Sequence, residues 1–223
     1  MNLETSQIEE RLQEVRAEYL RRMTDGNGDL LRQVEEYSAG RIGKMLRPRM
    51  LLATAATLGN DHFHSRRTLL LATAVEMLHN ASLLHDDVID RDLTRRGQPS
   101  VNARWNSAVA VLVGDYHLVS IMQLLSEIGD NEITQKFNDT VKSMVEAELL
   151  QQEKSDDYLR IIDGKTANLF ALAAELGNPA LRNYGLHYGR LFQLRDDIAD
   201  GEANEHTREL IGKEEAILQE INI

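Results

Sequence analysis

The chain contains no cysteine. Disulfides and thiolate metal sites are therefore excluded, an absence that suits a reducing compartment. Proline is scarce, three residues in 223, so long stretches run without the residue that breaks helices. Cations are in the minority, with 25 Lys and Arg against 36 Asp and Glu and a formal net charge of −11. That sign argues against nucleic acid as the main partner, because phosphate backbones are bound by basic faces. No run of 18 or more apolar residues occurs, so no membrane span is expected. The opening MNLETSQIEERLQEV lacks the basic-then-apolar layout of a secretory signal. The expectation is a soluble, cytoplasmic protein.

What the chain does have is helical periodicity. Apolar residues recur at three-and-four spacing, and alternating strand patterns are essentially missing. The first helix is expected over Leu3–Met23, broken by Gly26-Asn27-Gly28, and others over Asp29–Ala39 and Pro48–Leu58. Ser65 can cap a long helix that reaches Asp90, after which Asp92–Pro99 reads as a loop. Helices over Val101–Ile128, Glu132–Glu153 and Asp156–Leu176 follow. Asn178-Pro179 is a start signal for another that carries Gly185 and Gly189 and ends near Gly201, and Thr207–Ile221 closes the chain. Eight or nine helices with short connections imply an all-α bundle, a single domain over residues 1–223.

Two carboxylate clusters stand out. In His85-Asp86-Asp87-Val88-Ile89-Asp90, Asp86 and Asp90 lie one helical turn apart and share a face, with Asp87 on the flank. Arg195-Asp196-Asp197-Ile198-Ala199-Asp200 repeats the spacing. One such cluster is as readily a solvated acidic helix end as a site. Two, each in an otherwise apolar helix, favour a hard divalent cation, since all-oxygen donors suit Mg²⁺ or Mn²⁺ over zinc. Clustered cations supply the complement: Gly43-Lys44-Met45-Leu46-Arg47-Pro48-Arg49 and Arg95-Arg96-Gly97 suit a phosphorylated ligand gripped by guanidinium forks and an ammonium charge.

These runs resemble the trans-isoprenyl diphosphate synthases, the polyprenyl synthetase family, from about Gly43 to Asp200. Met77 to Asp90 looks like the first aspartate-rich motif with its upstream helix. Arg95-Arg96-Gly97 follows at the family's spacing, and Val113-Gly114-Asp115 matches a turn of the next helix. Lys165-Thr166-Ala167 is similar to the diphosphate-binding lysine motif, and Phe192 to Asp197 to the second aspartate-rich motif.

The resemblance implies an isoprenoid-synthase bundle with two facing aspartate-rich helices about a central cavity. It also implies a Mg²⁺-dependent transferase of the EC 2.5.1 type that joins an allylic diphosphate to isopentenyl diphosphate in isoprenoid biosynthesis. Lys44, Arg47, His79 and Arg96 then hold the diphosphate of isopentenyl diphosphate, and Gly43, which leads the basic loop, is a substrate-binding position. Arg95 and Lys165 hold the allylic diphosphate, which several metal ions bridge to Asp86, Asp90 and Asp196. Asp87, Asp197 and Asp200 are direct or supporting ligands, and Thr166 and Gln193 lie near the reacting carbons. Ionisation of the allylic diphosphate gives a carbocation, which the isopentenyl double bond attacks before a proton is lost. Small Ala81 and Ser82, one turn before the first aspartate, point to a product beyond fifteen carbons. A homodimer is the implied assembly.

The chain departs from the family at Ile42, where many members have a second glycine, and after Asp200, where longer relatives continue into a lysine-containing loop and further helices. Two other readings stay open: a non-catalytic or regulatory subunit of a heteromeric synthase, and a class I terpene cyclase. The second aspartate motif is unlike a cyclase's, which mixes Asn, Ser or Thr with Glu. A helical bundle with incidental acidic faces is the blandest reading of the same residues.

Overall fold

The structure, a computed structural model, describes residues 5–25, 28–39, 43–201 and 205–221. The expected helix start at Leu3, the break at Gly26-Asn27 and the Ile42 departure lie outside those residues. In chain order the helices are α1 (Thr5–Thr24), α2 (Asp29–Ala39), α3 (Leu46–Ala56), α4 (Asn60–His64), α5 (Arg66–Ile89) and α6 (Val101–Arg104). They continue with α7 (Ser107–Ile128), α8 (Asn131–Gln152), α9 (Tyr158–Ile162), α10 (Asn168–Gly177), α11 (Arg182–Ala199) and α12 (Glu205–Glu220). A π-helical turn over Asp163–Ala167 joins α9 to α10, and a 3₁₀ turn over Pro179–Leu181 leads into α11. A two-stranded ribbon, Thr94–Arg95 against Gln98–Pro99, lies where a plain loop was expected.

The fold is all-helical, as expected, but the helices are more finely divided. The predicted single helix over Val101–Ile128 is interrupted at Trp105 and Asn106: the Asn106 side chain leaves the helical path to accept the Val109 N–H at 2.9 Å, an N-cap that starts α7 afresh. The predicted helix over Asp156–Leu176 is likewise three pieces, because the backbone widens at Asp163–Ala167. Where the local signals were strong the boundaries agree. Ser65 caps α5 through the Thr68 N–H, and Asn178 caps the 3₁₀ turn through Ala180. Gly129 ends α7 at φ 69°, a left-handed conformation that costs glycine little.

The chain groups into two compact units. One holds the described residues up to Arg49 together with His64–Asp130, the other Met50–Phe63 together with Asn131–Ile223. In the first, α5 packs on α7 and α1, and a core of Val34, Leu84, Val101, Ala110 and Val113 is closed by Leu31, Val88 and Trp105. By length and composition α7 could cross a membrane, with a mean hydropathy of 1.6 over its most apolar stretch. Here, however, Ala110, Val113, His117, Ile121 and Leu124 are buried, while Leu112, Val119 and Met122 are exposed.

In the second unit α10 packs on α11, and α11 on α12. The approach of α10 to α11 is close because Gly185 faces the backbone of Phe170 and Ala171. A methyl there would lie 2.5 Å from the Phe170 carbonyl oxygen. A satellite core of Ile162, Leu194 and Leu210, flanked by Tyr158, Leu159 and Ile211, seats α12 against α9 and α11.

Candidate active site

In the first unit the chemistry gathers at the end of α5. Asp90 closes the helix, its N–H donating to the Asp86 carbonyl at 2.8 Å, so the two carboxylates stand on one turn. Asp90 is exposed and Asp86 half-buried. Asp87 turns inward instead, its side chain 5% exposed, and accepts from Nε of Arg95 at 2.8 Å and also from Nη2. Burial outweighs that pairing, and with Asp92 and Asp90 nearby the Asp87 carboxyl is lifted above its ordinary range. The loop that returns Arg95 is fixed by Asn102, whose amide donates to the carbonyls of Asp87 and Asp92 at 3.0 and 2.9 Å, and by Ser100 on Asp92 at 2.7 Å.

The second cation group forms beside it. Arg47 is buried, and its Nη1 lies 3.2 Å from Nε2 of His79. Since Arg47 can only donate, His79 accepts at Nε2 and carries its proton on Nδ1. Burial, reinforced by the charges of Arg47, Arg96 and Arg95, holds this histidine well below its ordinary value. His79 therefore presents a neutral N–H, with the positive charge left to the arginines. Gly43 lies flat against the Arg96 guanidinium, where a side chain would come within 2.6 Å of Nη2. Lys44 is exposed, Ala81 is buried and the Ser82 hydroxyl is bonded to the His79 carbonyl at 2.9 Å.

A cavity of about 50 Å³ opens among Asp87, Arg95, Arg96, Asn80 and Tyr19. Room of that size accommodates one or a few waters.

Several polar residues here escaped the sequence reading. Glu76 is 2% exposed; burial lifts its carboxyl, against the opposing pull of Arg47, Asn80 and Arg96. Tyr19, Glu35 and His117 form a buried trio, with the Tyr19 hydroxyl 2.9 Å from Nε2 of His117 and 3.2 Å from Glu35. The one legible signal was a lone Glu76 in the apolar run of α5; the trio joins residues up to 98 positions apart. Gly114 explains its own motif. A methyl there would meet the His85 ring, 2.8 Å from Cδ2, so its absence lets α7 hold His85 beside the Val111 carbonyl and Asp115.

The second unit repeats the first arrangement. At the end of α11 the Asp200 N–H donates to the Asp196 carbonyl at 2.9 Å, and both side chains are exposed. The middle aspartate is again taken by protein donors: Asp197 accepts from the Tyr158 hydroxyl and, at 2.8 Å, from the Gln193 amide. The Gln193 carbonyl then accepts from the Thr166 hydroxyl at 2.8 Å. Lys165, one residue earlier on the π-helical turn, lies 2.6 Å from Glu148 and 2.9 Å from Gln151 of α8. Burial would raise the Glu148 carboxyl, yet bonds from Lys165 and Gln152 and the Lys165 charge together hold it below its ordinary range.

In each motif the middle aspartate is held by protein donors, and the first and last stand one helical turn apart. Among the described residues no three acidic or histidine side chains converge as a closed metal cage. Paired oxygen donors one turn apart fit Mg²⁺, which takes one or two carboxylates and completes its shell with water and phosphate oxygens.

The Polyprenyl synthetase family matches residues 28–216. The all-trans-nonaprenyl-diphosphate synthase (geranyl-diphosphate specific) of Rhodobacter capsulatus is 39% identical over 175 residues, 71% of this chain and 53% of that protein. Among solved structures, a decaprenyl diphosphate synthase from Rhodobacter capsulatus superposes with a TM-score of 0.82 at 33% identity, over 87% of this chain and 64% of that one. A Caulobacter crescentus polyprenyl synthase, complexed with calcium and isoprenyl diphosphate, gives 0.80 at 34% identity, over 86% and 62%. The chain therefore spans about half to two thirds of these relatives, and it carries the isoprenoid synthase fold. It belongs to the polyprenyl synthetase family.

Proposed function

We propose that the chain is a trans-prenyltransferase that condenses an allylic diphosphate with isopentenyl diphosphate, releasing pyrophosphate. The observation that carries this reading is the repeated aspartate motif, with Asp86 and Asp90 on one helical turn and Asp196 and Asp200 on another. Asp86, Asp90, Asp196 and Asp200 would hold Mg²⁺, which supplies charge neutralisation at the diphosphate leaving group. Asp87 and Asp197 serve as supports, since Arg95 in one case and Tyr158 with Gln193 in the other occupy their oxygens.

The protein's own part is binding and orientation. Arg47, Arg96 and the neutral His79 bind the isopentenyl diphosphate, joined by the exposed Lys44. Lys165 and Arg95 bind the allylic diphosphate, and Thr166 and Gln193 orient the reacting end. Lys165 exchanges its contacts with Glu148 and Gln151 for phosphate oxygens, so Glu148 holds the ammonium in place until substrate arrives. We extend the proposal to a cytoplasmic homodimer and, from the small Ala81 and Ser82, to a product beyond fifteen carbons.

The test is labelled isopentenyl diphosphate with geranyl, farnesyl or geranylgeranyl diphosphate and Mg²⁺, products being resolved by chain length. Elongation that disappears in Asp86→Ala and in Asp196→Ala is the expected result. Diphosphate binding without elongation would favour the alternative of a subunit that needs a partner.

A further inference from the structure

The π-helical turn over Asp163–Ala167 carries Lys165 and Thr166, and it is a conformation that seldom persists without outside support. Its closing bond runs from the Asn168 N–H to the Asp163 carbonyl. Two glycines let neighbours press on it: Gly164 faces Ala147 and the Ser143 carbonyl of α8, and Gly189 of α11 faces the Cα of Ala167. The directional hold comes from Arg190 of α11. Its Nε and Nη2 donate to the two oxygens of Asp163 at 2.6 and 2.7 Å, a planar fork that fixes orientation as well as distance. Its remaining nitrogen, Nη1, lies 3.5 Å from Glu214 of α12, a residue 5% exposed whose other oxygen is 2.6 Å from Nδ1 of His187.

We infer that Arg190 is a positioning residue for Lys165 and Thr166, acting through Asp163, and that α12 supports it through Glu214. The inference rests on the prenyl-transfer reading and names what sets that site's affinity for its allylic diphosphate. Arg190 and Asp163 are 21% and 26% exposed at the side chain. Partial hydration reduces what the pair adds to global stability. Its effect falls on where the turn sits. Lysine cannot replace the fork, because an ammonium is a point charge without fixed bidentate geometry.

Steady-state kinetics and backbone amide exchange on the full chain test this, using Arg190→Gln, Arg190→Lys and, as a control, Arg182→Gln. Arg182 lies on the same helix and pairs with Glu175 of α10, outside the turn. In Arg190→Gln the KM for the allylic diphosphate should rise on the order of tenfold or more, the scale expected when a binding group is displaced by a fraction of an ångström. The KM for isopentenyl diphosphate should stay within about twofold, and exchange should quicken at residues 163–168 but not across Ser107–Ile128. Arg190→Lys should fall between the two, and Arg182→Gln should match wild type.

An active wild type with an unchanged allylic KM in Arg190→Gln would overturn the positioning role. So would a parallel rise in both KM values accompanied by a lowered melting temperature, which marks a structural role only. A wild type that transfers no prenyl group would instead refute the reaction. Exchange then judges the clamp by itself, unchanged rates at 163–168 in Arg190→Gln refuting it.

Discussion

Replacing Gly164 by alanine should destabilise the protein, whereas the same change at Gly212 should stabilise it. A methyl on Gly164 would lie 2.7 Å from the Ser143 carbonyl oxygen and closer still to the Ala147 methyl. Carbon atoms in good contact sit at roughly 3.5–4.0 Å. Neither neighbour can swing away, since one is backbone and the other a Cβ, so α8 and the π-helical turn must separate. Overpacking of this kind costs about 1–3 kcal/mol. Alanine's helical advantage over glycine returns about 0.8–1 kcal/mol. Both contacts are rigid, which places the cost near its upper end and leaves a net loss of about 2 kcal/mol. For a chain of this length that lowers the melting temperature by about 4–8 °C.

Gly212, inside α12, has nothing within 4 Å of an added methyl. Only the propensity gain of about 0.8–1 kcal/mol remains there, a rise of about 2–4 °C. Calorimetric melting of the two variants beside wild type is the assay. Gly164→Ala melting at or above wild type, or Gly212→Ala falling as far as Gly164→Ala, would refute the close-packing argument.

Three further outcomes follow from the site. Because His79 is held well below its ordinary value, the unfolded chain takes up this proton first, and stability should fall as pH drops below about 6.5. His79→Gln should flatten that part of the stability-pH curve, and an identical slope would contradict the burial argument. Glu148 has the opposite carboxylate logic, a lowered value whose stabilisation is present above the ordinary glutamate range and lost as pH falls through the lowered one. Glu148→Gln should therefore cost stability at neutral pH, about 1 kcal/mol or less after allowance for solvent, and little at strongly acid pH; equal loss at both would count against it. Tyr158→Phe removes one of the two donors on Asp197 and should cost about 1 kcal/mol in urea unfolding. An unchanged midpoint would show that the hydroxyl carries no weight.

The helices were legible because their information is local. Apolar spacing marked the long helical stretches, and Ser65, Gly129 and Asn178-Pro179 marked ends whose caps lie within a few residues. The break at Trp105-Asn106 was readable in principle, since Asn before Ser-Ala-Val is an N-cap pattern, but the apolar run across it masked the signal. The π-helical turn was not readable, because glycine contacts and an arginine from elsewhere in the chain support it.

The site divides the same way. Asp86 with Asp90, and Asp196 with Asp200, follow from a four-residue interval. The separate fate of Asp87 and Asp197 depends on Arg95, Tyr158 and Gln193, and the Tyr158 partner is 39 residues away. Tyr158 and Arg190 look like ordinary surface-capable residues in sequence, and only packing gives them their partners.

The proposed prenyl transfer requires each aspartate pair to take part in metal-dependent diphosphate binding. Titration calorimetry of geranyl or farnesyl diphosphate, with and without Mg²⁺, tests it most directly on wild type, Asp86→Ala and Asp196→Ala. The account predicts binding only with Mg²⁺ and a loss of about tenfold or more in each variant, the cost of removing a charge-bearing ligand. Metal-independent binding, or a variant that binds as wild type does, would contradict it.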